Sequence, residues 1–319
     1  MGGVAFLFAG QGAQHPGMGA SLAEREPAAR AVFDAADAVR PGTSAQCFAG
    51  TQEELDETAT TQPCVFACDL ACAQALEAHG LTPDAVAGFS LGEVAALTFA
   101  GALDDAAGFE LVCHRAALMA AAAAEHPGAM RAVLKLDAAT VEALACEAGN
   151  AWPVNYNSPQ QTVVAGAPEA LDELDGLVRA AGGRSMPVAV SGAFHSPYMA
   201  DATKALAAYL EDGHGLAAPH IPVIANRTAE PYPEGDGANA GAARAELLAS
   251  QASNPVRWVR TLEALSSRGI DTFIEVGPGR TLTGLVKRTL KGATALPCET
   301  PEQLDAVLAA CRGAGDPAE

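Results

Sequence analysis

The first apolar positions of the chain form one short uninterrupted run, "VAFLF" at 4–8, closed by the glycine-rich "AGQGAQHPGMG". A run of that length bounded by glycines predicts a buried strand, because an amphipathic helix needs a longer pattern of period 3.6. Alanine-rich amphipathic segments follow around 20–39 and 62–79, and "DAVAGFS" supplies a second strand. "EVAALTFAGAL" and "AGFELVCHRAALMAAAAAE" read as consecutive helices, stopped by "HPG" at 126–128.

The texture changes after that stop. "AMRAVLKL" predicts a strand, "DAATVEALACEAG" a helix with an Asp cap, and "VNYNSPQQTVVAG" a turn and a strand; "PEALDELDGLVRAAG" is a helix and "SMPVAVSG" a strand. This β-α-β-β-α-β order suits a small α+β subdomain set into a larger one. "FHSPYMADATKALAAYL" returns to helix, and "IPVIAN" and "DTFIEVG" add buried strands with helices between them, which predicts a parallel sheet. The fold class is therefore α/β, with 1–126 and 193–319 forming the large domain and 127–192 the insert. The tail "GAGDPAE", 313–319, is expected to fray.

Composition narrows the function. Half of the 319 residues are hydrophobic, yet no uninterrupted apolar stretch has transmembrane length, and the opening has no basic start of the signal-peptide kind. A cytoplasmic protein with no membrane partner is expected. A net charge of −19 argues against nucleic acid as a partner. Between 257 and 291 the balance reverses: Arg257, Arg260, Arg268, Arg280, Lys287, Arg288 and Lys291 outnumber Glu263, Asp271 and Glu275, seven minus three, or +4. Solvated helix faces account for such a stretch, and so does a landing patch for an acidic partner.

The eight cysteines form no CxxC pair and no His/Cys cluster at zinc spacing, so no metal is expected. Cys64, Cys68 and Cys72 share one helical face and read as small core residues of a reducing compartment. "GPGRTLTGL" lacks the Gly-x-Gly-x-x-Gly spacing of a dinucleotide site, so no cofactor is expected either.

The chemistry concentrates at Gly88-Phe89-Ser90-Leu91-Gly92, between a strand and a helix. Gly-x-Ser-x-Gly in that setting is the nucleophile-elbow pattern: small flanking residues allow a sharp turn that exposes the hydroxyl, and the following helix aims its N–H groups at the site. An ordinary tight turn competes with that reading. A nucleophilic serine needs a base. Of the seven histidines, His195 directly follows an apolar strand and a glycine turn, where strand ends deliver residues to α/β sites; the bland alternative is a histidine capping the next helix.

Eight motifs in order then carry a resemblance over nearly the whole chain: "GQGAQ" at 10–14, "TQP" at 61–63, "GFSLGE" at 88–93, Arg115 in "RAALM", "NYNSPQQTVVAG" at 155–166, "GAFHSPYM" at 192–199, "NPVRW" at 254–258 and "EVGPGRTLTGL" at 275–285. The chain resembles the malonyl-CoA:acyl-carrier-protein acyltransferases, and in "GAFHSPYM" the discrete trans-acting acyltransferases of polyketide synthases. The resemblance implies an α/β-hydrolase-like core with an inserted ferredoxin-like subdomain. It implies Ser90 as nucleophile, His195 as base, the amides of Gln11 and Leu91 as oxyanion hole, and the main-chain carbonyl of Gln251 as the group that orients the histidine. Arg115 would grip the malonyl carboxylate, and Phe194 would fill the space that an α-methyl group needs.

The activity so implied is ping-pong transfer of malonyl from malonyl-CoA to an acyl carrier protein, by a monomer without cofactor, for polyketide or fatty-acid synthesis. The basic stretch at Arg280, Lys287 and Arg288 would be the place for an acidic carrier to dock. Two alternatives remain: a hydrolase that clears acyl groups from carriers, and a non-catalytic docking module. Phe89 stands where the family commonly has His, and Ala120 where it frequently has Gln, so packing under the elbow and one contact beside the arginine are expected to differ.

Overall fold

A computed structural model describes residues 2–190 and 192–312; the tail 313–319 lies outside the described residues. Nine strands are described: β1 (Gly3–Phe8), β2 (Ala85–Gly88), β3 (Ala129–Leu134), β4 (Ala151–Ser158), β5 (Gln161–Gly166), β6 (Arg184–Pro187), β7 (Val223–Ile224), β8 (Ile270–Val276) and β9 (Thr294–Cys298). Five form a parallel sheet in the order β7-β2-β1-β8-β9.

The central strands are apolar on both faces, as a sheet covered by helices on both sides requires. Alternation along β1 sends Phe6 and Phe8 into a core with Val86, Ile274 and the helix Thr58–Ala78. Ala5 and Leu7 go the other way, onto Phe273, Trp258, Leu262 and Leu285. Cys64, Cys68 and Cys72 are buried on the helix Thr58–Ala78, packed as small apolar residues.

β3, β4, β5 and β6 form a second sheet, antiparallel, in the order β4-β5-β3-β6. The helices Ala138–Ala148 and Pro168–Ala180 interleave with these strands in the ferredoxin-like β-α-β-β-α-β order. Asp137 caps the first of these helices through the Thr140 amide at 2.8 Å. One face of this sheet packs Val133 and Val164 against Val141, Leu171 and Leu174. The other face, with Met130, Val163 and Ala165, meets Met119, Ala193, Phe194 and Met199 of the larger layer. Beside this packed contact a cleft remains between the two sheets, lined by Gln11 and Gly12 on one side and Gln161 and Val188 on the other.

One expectation needs adjustment, and one strand is new. The strand expected in "SMPVAVSG" ends at Pro187, where pairing with β3 stops. The strand β9, "TALPC", carried no clear pattern in the sequence. The helix Asp105–Glu125 is long and apolar enough to pass as a membrane span, but half of it is buried inside the fold, and it packs against the helices Thr58–Ala78 and Ala200–Glu211.

Candidate active site

Ligand sites of parallel sheets form at the carboxyl ends of the strands. Here those ends deliver Gln11 after β1, Ser90 after β2, Asn226 after β7, Arg280 after β8 and Glu299 after β9. β2 stops at Gly88, the chain turns at Ser90 with φ 55°, and the helix Gly92–Phe99 begins two residues later. No side chain fits beside that turn. A Cβ on Gly88 would lie 1.9 Å from the Gly92 carbonyl group, and one on Gly92 would lie 2.4 Å from the Phe8 and Ala9 oxygens.

Asn226 braces the turn. Its Oδ1 accepts from the Ser90 amide at 2.7 Å and its Nδ2 donates to the Gly88 carbonyl at 2.6 Å. Phe89, in the position commonly held by His, packs edge-on to Trp258 with ring centroids 5.2 Å apart. The sequence marked the elbow but not its brace: Asn226 lies 136 residues away from Ser90.

His195 also has left-handed backbone, φ 61°, and is buried. Its Nδ1 is 2.9 Å from the Gln251 carbonyl and 3.2 Å from that of Asn254. Carbonyls only accept, so Nδ1 carries the proton and Nε2 presents a lone pair to Ser90 Oγ, 2.7 Å away. Burial, and then the Arg115 charge, push the His195 pKa down to about 4, against the two carbonyls that favour the charged ring. The imidazole is neutral at physiological pH. The capping role falls to its neighbour, because Ser196 Oγ accepts from the Tyr198 amide.

Arg115 is fully buried, and its partners are neutral. Nη1 donates to Gln62 Oε1 at 2.6 Å; Nη2 donates to Gln251 Oε1 at 2.7 Å and to Ser90 Oγ at 3.2 Å. Burial lowers its pKa to about 10, with Glu93 opposing, so it stays a cation. The amides of Gln11 and Leu91 have no protein acceptor among the described residues. The first sits on the loop after β1, the second at the N-terminus of the helix that follows Ser90.

Ser90 and His195 open onto a cavity of about 360 Å³. Its apolar wall includes Met119, Met130, Val163, Val188, Val190 and Phe194. Gln11 lines it as well; Leu91, Arg115 and Gln251 stand behind the wall, Arg115 reaching Ser90 from the buried side. The cavity continues through Gln11, Gln161, Val188 and Arg288 into a wider cleft of about 800 Å³ between the two sheets. From the basic stretch, only Arg280 and Arg288 border the cavity, with Lys287 exposed on the same helix, Thr281–Thr289. Arg257 instead donates from Nε to the Arg227 carbonyl.

A serine hydroxyl facing a neutral imidazole lone pair can attack a carbonyl, and unoccupied amides beside it suit the oxyanion that forms. Fold and geometry together define the class, an α/β enzyme that handles acyl groups. The acyl transferase domain family matches residues 5–309, and the chain belongs to that family. The malonyl CoA-acyl carrier protein transacylase of Bacillus subtilis is 36% identical over 311 residues, 96% of each chain. A polyketide-biosynthesis transacylase of the same kind from Bacillus velezensis is 36% identical over 299 residues, 92% of this chain and 99% of its own.

Solved structures agree with the fold. The transacylase of Clostridium perfringens superposes with a TM-score of 0.91 at 32% identity, covering 98% of both chains. A malonyl-transacylase in complex with its type II polyketide-synthase acyl-carrier protein superposes at 0.90 and 35% identity, covering 96% of this chain and 99% of that one. Identity is equal for the relative with a polyketide name and the one without, so it does not assign a pathway.

Proposed function

We propose that the protein transfers a malonyl group from malonyl-CoA, through an ester on Ser90, to the phosphopantetheine thiol of an acyl carrier protein. One observation carries the reading: Ser90 Oγ lies between a neutral base, His195 Nε2 at 2.7 Å, and a buried cation, Arg115 Nη2 at 3.2 Å. A base alone would serve any acyl group. A guanidinium at the same oxygen suits an acyl group that ends in a carboxylate, which it can grip through two N–H bonds.

In the first half-reaction Ser90 Oγ attacks the thioester carbonyl while His195 Nε2 takes its proton. The Gln11 and Leu91 amides receive the oxyanion, and coenzyme A leaves as the thiol with the proton from His195. In the second half the carrier thiol gives its proton to His195 and attacks the seryl ester, and Ser90 regains its hydrogen. An oxyanion donor of this kind is worth about 2.7–4 kcal/mol in related acyl chemistry. Asn157 lines the cavity with a buried Oδ1 that has no partner among the described residues, an acceptor suited to an amide N–H of the pantetheine arm.

The related transacylase structure with its carrier protein supports such a partner. The face formed by Arg280, Lys287 and Arg288 is the docking site in this reading, because it is basic in a chain of net charge −19 and borders the cavity mouth. One chain supplies every group named, so a monomer suffices. All eight cysteines are unpaired, in keeping with the cytoplasm.

Intact mass spectrometry after mixing with malonyl-CoA, methylmalonyl-CoA or acetyl-CoA tests the reading. A malonyl adduct on the wild type, absent in Ser90→Ala and unselective in Arg115→Ala, is the expected result. No malonyl adduct, with release of acetyl from an acetyl-loaded carrier protein, would make the protein a hydrolase instead.

A further inference from the structure

Arg115 raises a problem of charge. A guanidinium with 1% exposure normally needs an acidic partner at contact distance, yet its hydrogen bonds go to Gln62, Gln251 and Ser90, all neutral. The opposite charge lies one residue further away. The Gln251 amide accepts from Arg115 at Oε1 and donates from Nε2 to Glu93 Oε2 at 3.1 Å and to the Ser90 carbonyl at 2.7 Å.

Glu93 has no exposure at all, and every group it meets is a donor. Oε2 accepts from the Asn226 amide at 2.9 Å and from Gln251, and Oε1 accepts from the Tyr232 hydroxyl. Oε2 faces two N–H donors and has nothing there to donate to, so a proton could sit only on Oε1, toward the Tyr232 hydroxyl oxygen. Burial is the largest influence and holds its pKa above the ordinary glutamate value, against the Tyr232, Gln251 and Asn226 donors and the Arg115 charge, which all favour the carboxylate.

We infer that Glu93 is the spaced counter-ion of Arg115: it balances the buried guanidinium through the Gln251 amide without occupying the N–H groups that a substrate carboxylate needs. Direct contact would turn Arg115 into a closed internal ion pair. No countercharge would leave an isolated buried cation, which is costly and poorly held. With one amide between them, the cation stays charged and oriented and keeps its capacity for an anion. Tyr232 and Asn226 fix the carboxylate, and Gln251, whose main-chain carbonyl also holds His195, joins this chain of contacts to the base. Glu93 is thus a positioning residue for selection of acyl groups that carry a carboxylate. The inference rests on the proposed malonyl reading.

The test compares seryl loading by malonyl-CoA and by acetyl-CoA in the full-length protein, read as kcat/KM by quenched flow and intact mass. Wild-type loading by malonyl-CoA checks the underlying reading separately, before any variant is made. Glu93→Gln keeps the size of the side chain and removes the charge. It is expected to lower malonyl loading by about tenfold or more while acetyl loading changes less than about twofold, collapsing the preference. Tyr232→Phe removes one donor to the carboxylate and is expected to move the ratio in the same direction by a smaller factor, which keeps the inference testable where Glu93→Gln fails to fold. Equal loss of malonyl and acetyl loading in the folded variants would show that Glu93 only supports the elbow, and would overturn the inference. An unchanged ratio would overturn it equally.

Discussion

Ser90 and His195 meet at 2.7 Å from two residues that both stand in left-handed backbone, φ 55° and 61°. For residues with a Cβ that conformation costs about 1–2 kcal/mol each. The fold bears that cost at the ends of two turns, where the strain swings one hydroxyl and one imidazole out of the chain direction and toward each other. Both residues are also fastened from behind, Ser90 at its main-chain amide by Asn226 and the His195 ring by two carbonyls. The pair is set before a substrate arrives.

A base held neutral by burial has a particular pH signature. With the His195 pKa near 4, the free enzyme keeps the reactive form throughout the neutral range. The acid limb of kcat/KM for seryl loading is expected near pH 4 rather than near the ordinary histidine value of about 6.5. Stability follows the same shift. The folded pKa lies below the unfolded one, so the contribution is complete above about 6.5 and is lost as pH falls toward 4, where the unfolded chain binds the extra proton. Rapid-quench loading across pH 4 to 8 reads the first effect; an acid limb near 6.5 would show that the imidazole is solvated in the working enzyme.

Phe194 forms part of the apolar wall beside Ser90 and is 5% exposed, packed with Met119, Met130 and Ala193. Phe194→Ala is expected to open room for an α-methyl group and to move selectivity toward methylmalonyl-CoA by about 10- to 200-fold, or about 1–3 kcal/mol. The same truncation removes core contacts and should lower stability by about 3–5 kcal/mol. Competition between the two thioesters, with products resolved by mass, measures the change. Unaltered preference in a folded variant would place the steric limit elsewhere, on Val188 or Val190.

The order of elements and the elbow were legible in the chain because each is local. A five-residue apolar run closed by glycines and Gly-x-Ser-x-Gly before a helix are patterns within about ten residues, whereas the strand that pointed to His195 in fact ends at Pro187, eight residues before it. The groups that brace them are not local. Asn226 and Tyr232 meet Gly88, Ser90 and Glu93 across more than 130 residues, and nothing near Asn226 or Tyr232 in sequence announces it. Glu93 did leave one trace, as an acidic residue at the head of an otherwise apolar helix, "EVAALTFAGAL". Pro297 interrupts the β-pattern of β9, so that sheet edge did not stand out, whereas the other edge was read from "IPVIAN", although β7 is only two residues long.

Asp69 carries a liability that the mechanism does not use. It has no exposure, no group among the described residues lies in good hydrogen-bond geometry to either carboxyl oxygen, the Ala9 amide being the nearest donor, and a Cβ on Gly277 would lie 1.8 Å from Oδ1. Burial, with Cys72 and Glu275 adding, pushes its pKa well above 3.8, and the Ala9 amide only partly opposes them. The folded state keeps the proton while the unfolded chain ionises, so the contribution to stability is complete below about pH 4 and declines as pH rises. Asp69→Asn is similar in shape and cannot ionise. The variant is expected to gain in Tm relative to the wild type between pH 5 and pH 8, and calorimetry at both values measures it. Parallel curves would mean that Asp69 is ionised in the fold.

If the carrier docks on the proposed basic face, docking can be separated from chemistry at one residue. Arg280 and Arg288 border the cavity, and Arg288 also donates to Gln161 Oε1 at 3.2 Å, so changing either would disturb binding of both substrates. Lys287 is exposed on the same helix and does not border the cavity. A rim charge acts mainly on encounter, and the rest of a chain with net charge −19 repels an acidic partner. Lys287→Glu is therefore expected to raise the carrier-protein KM by about three- to tenfold at low salt while leaving loading by malonyl-CoA unchanged. The difference should shrink toward 0.5 M salt, about where screening reaches contact range. Steady-state transfer measured at two salt concentrations decides it. An unchanged carrier KM at low salt would move the docking face away from the helix Thr281–Thr289.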